Sequence, residues 1–165
     1  MTELDRVSVT LLDGTATTFG ALRKPVTLVV NVASRCGLAP QYEALESLQR
    51  RYADRGFTVI GFPSNQFLQE LGSTEAIAEY CSMTWGVSFP MSQKISVNGR
   101  KRDPLYAELV KSKYRNGLGG PIKWNFEKFV LTPDGAVHRF APQTEPDDAA
   151  IVGLIEANLP ATPTT

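Results

Sequence analysis

The strongest constraint on the fold is a long apolar run that leads through a short polar turn into a helical pattern. Val26–Val32 reads VTLVVNV, in which five of seven residues are apolar, and this composition is typical of a strand buried on both faces. Residues 41–55 then place apolar side chains at helical spacing, and Gly56 follows as a helix C-cap. Residues 57–62 form a second apolar strand pattern. The order strand, helix, strand predicts a βαβ unit with parallel strands and a right-handed crossover.

The remaining segments complete an α/β pattern around this unit. Two short strands flanking Asp13-Gly14 predict an N-terminal β-hairpin. Further helices are expected over residues 74–84, from Asp103-Pro104 and after residue 145, with strands at residues 122–131 and 136–141. The sequence therefore predicts a single α/β domain over residues 1–165 with a thioredoxin-like fold, in which helices cover both faces of a central mixed β-sheet.

Charge and composition exclude several classes of function. Seventeen basic residues balance seventeen acidic ones, so nucleic acid is not an expected partner. No apolar run approaches the length of a membrane span, and we expect no stable membrane association. The first residues, MTELDRVSVTLLDG, lack the basic start and apolar centre of a signal peptide, which predicts a cytoplasmic protein. One histidine and two distant cysteines give no metal-ligand spacing, and we expect neither a metal nor a cofactor.

Cys36 is the first candidate for chemistry, because it lies in the predicted turn between the buried strand and the following helix. Backbone N–H groups and the positive dipole end at a helix N-terminus favour the thiolate, which is the nucleophilic form of cysteine. A small buried core residue is the alternative, since free cysteine is among the most buried residue types. Position alone leaves both interpretations open.

Four short motifs add a more specific signal. They are NVASRCG around Cys36, FPSNQF around Gln66, YCSMTWGVSFP around Cys81, and KWNFEKF around Trp124 and Asn125. Together they resemble the glutathione peroxidase family in its cysteine form, and in particular its short bacterial-type members with two cysteines. The resemblance extends from about residue 26 to residue 142. It implies a thioredoxin fold that reduces hydrogen peroxide and organic hydroperoxides.

The same resemblance implies a role for each motif residue. Cys36 would attack the peroxide, Gln66, Trp124 and Asn125 would assist, and Cys81 would resolve the resulting sulfenic acid as a Cys36–Cys81 disulfide. Amide and indole N–H groups suit the assisting role, since they stabilise an anion without the cost of burying a charge. Each of the three taken alone would be read as a loop, core or turn residue. Because Cys81 must approach Cys36, we expect a weakly stable helix over residues 74–84.

The reductant and the oligomeric state also follow from the resemblance. Two-cysteine members of the family take electrons from thioredoxin, a dithiol suited to reducing an intramolecular disulfide. No basic cluster for glutathione is recognisable in the sequence. The segment at residues 113–121 is short compared with larger oligomeric members, which favours a monomer. Leu71 departs from the family pattern QEPG, where proline is expected.

Other functions remain possible at this level. A thiol–disulfide oxidoreductase would carry a C-x-x-C motif, but Ala39 occupies the second cysteine position. A peroxiredoxin would place threonine and proline before the cysteine, where this chain has Ala33-Ser34-Arg35. A one-cysteine peroxidase reduced by glutathione and a peroxide sensor or redox relay both stay open, because each would need the same reactive Cys36.

Overall fold

The computed structural model describes residues 3–161 of the chain. The strands are β1 (Ser8–Thr10), β2 (Ala16–Thr18), β3 (Val26–Val32), β4 (Phe57–Pro63), β5 (Lys128–Leu131) and β6 (Val137–Phe140). The α-helices are α1 (Phe19–Leu22), α2 (Gln41–Tyr52), α3 (Thr74–Tyr80), α4 (Pro104–Leu109) and α5 (Ala149–Asn158). A π-helical turn, Cys81–Trp85, continues directly from α3. No helix within residues 3–161 has the length and apolar character needed to cross a membrane.

The central sheet has the strand order β4-β3-β5-β6. β3 runs parallel to β4, with Val26 opposite Phe57, and antiparallel to β5, with Val29 opposite Phe129. β1 and β2 form a separate antiparallel hairpin. The βαβ unit, the N-terminal hairpin and the mixed sheet are therefore all confirmed.

Alternate residues of β3 enter two different hydrophobic clusters. Leu28 and Val30 belong to a cluster that also contains Leu45 of α2 and residues of α5. Val29 belongs to a second cluster with Leu105 of α4. Both faces of the strand are thus covered by helices, which explains why its sequence is apolar throughout rather than alternating.

The strand expected over residues 122–131 is shorter than its sequence pattern, since β5 begins only at Lys128. Buried Asn31 of β3 holds the preceding segment in a turn. Its backbone oxygen accepts the N–H of Phe126 at 2.6 Å, and its side-chain oxygen accepts the N–H of Glu127 at 3.1 Å. Phe126 has φ +68°, a left-handed conformation that interrupts an extended strand. The alternation of apolar residues could not reveal this turn.

This turn determines where two candidate site residues lie. Asn31 also donates from its amide nitrogen to the backbone oxygen of Trp124 at 3.1 Å. Because β5 runs antiparallel to β3, the segment before β5 meets the carboxyl end of β3. Trp124 and Asn125 are therefore placed at the sheet edge from which the Cys36 turn leaves.

A buried ion pair holds the chain segment that precedes Trp124 and Asn125. Arg139 of β6 is paired with Glu127, and both side chains are fully buried. Arg139 also donates to the backbone oxygens of Ser112 at 3.1 Å and Gly120 at 2.8 Å. These contacts hold the irregular segment between α4 and β5 against the sheet.

Replacing Arg139 by methionine is expected to lower the free energy of unfolding by about 3–5 kcal/mol, because Glu127 is left as an unpaired buried charge. Urea denaturation monitored by far-UV circular dichroism measures this change. Lys111→Met is the control: its ion pair with Glu108 is exposed, and its loss should cost less than about 1 kcal/mol. Similar costs for the two variants would contradict a structural role for the buried pair.

Candidate active site

Cys36 lies in the turn between β3 and α2, as the sequence predicts. Only 6% of the residue is exposed, and its sulfur is a free thiol. The Sγ atom accepts the backbone N–H of Leu38 at 3.3 Å, and the carbonyl oxygen of Cys36 accepts that of Ala39 at 2.9 Å. One backbone donor of the turn, the N–H of Leu38, is therefore directed at the sulfur, an arrangement that suits a sulfur anion.

The Cys36 turn is bound to the loop that follows β4. The N–H of Arg35 donates to the backbone oxygen of Gln69 at 2.8 Å, and that of Ser34 donates to Oε1 of Glu70 at 3.0 Å. The same Glu70 oxygen accepts the N–H of Leu71 at 2.8 Å. Glu70 is 6% exposed, and burial is the main cause that raises the pKa of its carboxyl group. This loop thus fixes the two residues immediately before Cys36.

Asn125 and Trp124 meet the same loop from the other strand. The amide nitrogen of Asn125 donates to Oε1 of Gln69 at 3.0 Å. Asn125 is fully buried, and its Oδ1 atom has no hydrogen-bond partner among residues 3–161. The half-buried Trp124 packs its ring on Phe67, with ring centroids 5.0 Å apart. Amide and indole groups from two chain segments are therefore gathered next to the Cys36 turn.

Gln66 follows the same strand end, and its assisting role stays a prediction. Its side chain is exposed, and its Oε1 atom accepts the backbone N–H groups of Val97 at 3.0 Å and Asn98 at 3.3 Å. It anchors the segment before α4, whereas Gln69 contacts both Asn125 and the Cys36 turn. Gln69 is a second amide side chain after this strand end, and it lies outside the motif FPSNQF. The available signal was its place beside Glu70 in the segment QELG.

Leu68 turns the chain between these two glutamines. Its φ is +60°, and its N–H donates to the backbone oxygen of Asn65 at 3.0 Å. For an L-residue this left-handed conformation costs about 1–2 kcal/mol. The reversal sends the two glutamine side chains to different neighbours, which a sequence pattern does not encode.

Cys81 is buried in an aromatic environment at the start of the π-helical turn. It is 3% exposed, and its Sγ atom lies 3.6 Å from the hydroxyl of Tyr42 in α2, to which it donates. The Tyr42 ring packs on Trp85 at a centroid distance of 6.2 Å and edge-on against Phe126 at 5.4 Å. Burial raises the pKa of the Cys81 thiol to about 11. In this position Cys81 is a protonated thiol at neutral pH.

The two cysteines share one hydrophobic cluster, although no bond joins them. The segment that carries Cys81 is short: α3 has seven residues, and the π-helical turn has five. Helices of this length are not stable without tertiary contacts, and π-helical turns are frequent at functional sites. The turn ends at Gly86, which adopts φ +61°.

These features first define a class of protein. A single thiol lies in the turn after a central strand, and uncharged N–H donors lie beside it. Ala39 stands where a C-x-x-C motif would need a second cysteine. This is the arrangement of a cysteine-based oxidoreductase. The mixed sheet with helices on both faces is thioredoxin-like. A secreted disulfide oxidoreductase of Mycobacterium tuberculosis shares this fold with a TM-score of 0.65 at 12% identity.

Comparison with known proteins identifies the family. The family model for glutathione peroxidase matches residues 4–110, and the chain belongs to the glutathione peroxidase family. The thioredoxin/glutathione peroxidase BtuE of Escherichia coli is 47% identical over 169 residues, covering 90% of this chain and 92% of the relative. The glutathione peroxidase-like peroxiredoxin HYR1 of Saccharomyces cerevisiae is 51% identical over 131 residues, covering 78% and 80%. The apo structure of Trgpx has 36% identity and a TM-score of 0.70, covering 97% of this chain and all of the other.

The activity follows from this membership. The chain is a thiol peroxidase that reduces hydroperoxides with electrons from a thiol-based reductant. The family resemblance and the thioredoxin-like fold inferred from the sequence are both confirmed.

Proposed function

We propose that the chain is a two-cysteine peroxidase that uses Cys36 as the nucleophile, Cys81 as the resolving thiol and thioredoxin as the reductant. One observation carries the proposal: a second thiol lies in the same hydrophobic cluster as Cys36, on a segment made of a seven-residue α-helix and a five-residue π-helical turn. Because such short helical elements depend on tertiary contacts, this segment can open locally while the central sheet stays intact.

The first step begins with the Cys36 thiolate, which attacks one peroxide oxygen. The sulfur–oxygen bond forms as the oxygen–oxygen bond breaks, and the leaving alkoxide or hydroxide takes a proton to become alcohol or water. Cys36 becomes a sulfenic acid. The amide groups of Gln69 and Asn125 and the indole N–H of Trp124 stabilise the developing oxygen anion. In this proposal Gln69 has the assisting role that the sequence predicts for Gln66.

In the second step Cys81 attacks the sulfenic sulfur. A disulfide bond forms, the sulfur–oxygen bond breaks, and the hydroxide leaves as water with the proton of the Cys81 thiol. Cys81 must first lose its contact with Tyr42, because disulfide-bonded cysteines have Cα atoms within about 7 Å. Opening of the π-helical turn also exposes the thiol to water, where its pKa returns toward the ordinary range.

In the third step a dithiol reductant opens the disulfide by thiol–disulfide exchange. Thioredoxin supplies both electrons in one docking event, whereas glutathione would need two molecules. The family relatives include proteins named for both reductants, as in the thioredoxin/glutathione peroxidase BtuE. We assign this activity to the cytoplasm, since two separate free thiols suit a reducing compartment, and to a monomer, since the segment at residues 113–121 is short.

The proposal is tested by NADPH consumption with hydrogen peroxide, comparing thioredoxin and its reductase with glutathione and its reductase. Fast turnover with thioredoxin alone is the expected result. Faster turnover with glutathione would contradict the two-cysteine cycle and indicate a one-cysteine cycle. Peroxide-dependent oxidation of Cys36 without turnover in either system would indicate a peroxide sensor instead.

The roles of the two glutamines can be separated by substitution. Gln69→Ala is expected to slow oxidation of Cys36 by about 10²–10³-fold, the usual effect of losing one anion-stabilising donor. Gln69→Glu keeps an acceptor for Asn125 but lacks the amide N–H, and should slow the step similarly. Gln66→Ala should change it less than about threefold, since Gln66 contacts Val97 and Asn98. Stopped-flow tryptophan fluorescence measures the rate, and a larger effect at Gln66 would reverse the assignment.

A further inference from the structure

Leu68 combines two unfavourable properties. It and Phe126 are the non-glycine residues with positive φ within residues 3–161. Phe126 is fully buried in the hydrophobic core, whereas 85% of Leu68 is exposed to solvent. Burial of the Phe126 side chain offsets the free-energy cost of its left-handed conformation, whereas the exposed Leu68 side chain gains no such burial. Strained residues of this kind concentrate at functional sites, where they persist because the site needs them.

The neighbours of Leu68 along the chain all belong to the candidate active site. Phe67 packs its ring on Trp124 at 5.0 Å. Gln69 accepts hydrogen bonds from Asn125 at 3.0 Å and from Arg35, the residue before Cys36, at 2.8 Å. Leu68 therefore lies between two residues that contact the candidate site, and its own side chain is open to solvent.

An apolar surface begins at Trp124, the residue on which the neighbouring Phe67 packs. Trp124 also lines an open groove of about 690 Å³, whose apolar wall includes Leu118, Phe140 and Pro142. Leu118 is 63% exposed, so this surface is open to a ligand in solution. Exposed apolar side chains that adjoin a groove of this kind mark binding surfaces more often than isolated ones do.

We propose that Leu68 is a specificity-determining residue, whose side chain contacts the apolar part of an organic hydroperoxide while the peroxide group reacts at Cys36. Hydrogen peroxide has no apolar part and gains nothing from this contact. Leu68 thus favours alkyl and aryl hydroperoxides over hydrogen peroxide. The inference rests on the proposed function, because it takes Cys36 as the reacting group.

The test compares Leu68→Ala, Leu68→Gly and Leu68→Met in the thioredoxin-coupled assay, with cumene hydroperoxide and hydrogen peroxide as substrates. Alanine and glycine both remove the contact, so the ratio of kcat/KM for cumene hydroperoxide to that for hydrogen peroxide should fall about tenfold in each. Methionine keeps a long apolar side chain and should retain most of the ratio. Glycine also relieves the backbone strain, and its midpoint of thermal unfolding should exceed that of the alanine variant by about 2–4 °C.

The outcomes separate this inference from the proposed function. An unchanged substrate ratio in the alanine and glycine variants, with normal turnover of hydrogen peroxide, would overturn the role of Leu68 alone. A raised KM for thioredoxin with an unchanged ratio would also overturn it, and would assign Leu68 to the reductant interface. If the substrate ratio falls in the glycine variant but not in the alanine variant, the effect comes from backbone conformation, and the proposal is likewise rejected.

Discussion

Cys36→Ser is expected to reduce peroxide turnover by more than about 10³-fold with either thioredoxin or glutathione, as removal of a catalytic nucleophile usually does. Serine has nearly the same shape as cysteine, but its hydroxyl stays protonated at neutral pH and is a weak nucleophile without an adjacent general base. Peroxide consumption, followed directly as well as through NADPH, measures the loss.

The same variant should leave the fold intact. Serine can accept the N–H of Leu38 as the Cys36 sulfur does, and the backbone N–H groups of Ser34 and Arg35 keep their bonds to the neighbouring loop. The thermal midpoint should therefore stay within about 2–4 °C of the parent, equivalent to about 1 kcal/mol. A folded Cys36→Ser protein that still turns over peroxide at more than about one per cent of the parent rate would remove Cys36 from the nucleophilic role.

The part of the fold that the sequence predicts well is the unit from β3 to β4. Both strands are buried on both faces, so their composition alone identifies them. The helix between them is apolar on one side and ends before Gly56, whose φ of +95° suits glycine. Local pattern and tertiary packing agree here, and such agreement makes a prediction reliable.

The prediction is weaker where a side chain from another segment decides the local conformation. Asn31 is polar inside an apolar strand, and its hydrogen bonds to the segment before β5 create the turn that carries Trp124 and Asn125. The bond from Val97 to Oε1 of Gln66 ties that glutamine to the segment before α4. Neither contact leaves a periodic trace, because each joins residues far apart in the chain.

The burial of charged residues in the C-terminal hairpin is also difficult to predict from the sequence. Lys128 lies in a fully buried strand, and its ammonium group donates to the backbone oxygen of Pro142 at 2.8 Å. Burial is the main cause that lowers its pKa to about 7. A lysine in this position argues against a core strand when only the sequence is considered. The carbonyl groups that make its burial possible are visible only in the folded chain.

Cys81→Ser is expected to abolish thioredoxin-driven cycling, lowering steady-state turnover by at least about 10²-fold, while the first oxidation of Cys36 proceeds. Without a resolving thiol the sulfenic acid at Cys36 persists, and thioredoxin has no intramolecular disulfide to reduce. Stopped-flow mixing with one equivalent of peroxide measures the first step, and trapping of the sulfenic acid by dimedone followed by mass spectrometry identifies the product.

The chemistry of the Cys81 environment makes this variant a fair test. A serine hydroxyl can donate to Tyr42 as the thiol does, so the aromatic contacts around Trp85 and Phe126 should remain. Normal cycling of Cys81→Ser with thioredoxin would exclude the two-cysteine mechanism and leave Cys81 as a packing residue.

Hydrogen exchange distinguishes how Cys81 would reach Cys36. The resolving step needs the π-helical turn to open, so amides of residues 81–85 should exchange faster than those of β3, by local opening with a free energy below that of global unfolding. Opening would also release the thiol from the burial that holds its pKa at about 11. If the resolving step has the same rate as this opening, the opening of residues 81–85 limits the rate of turnover. Exchange as slow as in β3, together with loss of cycling in Cys81→Ser, would instead require oxidation of Cys36 itself to trigger the opening.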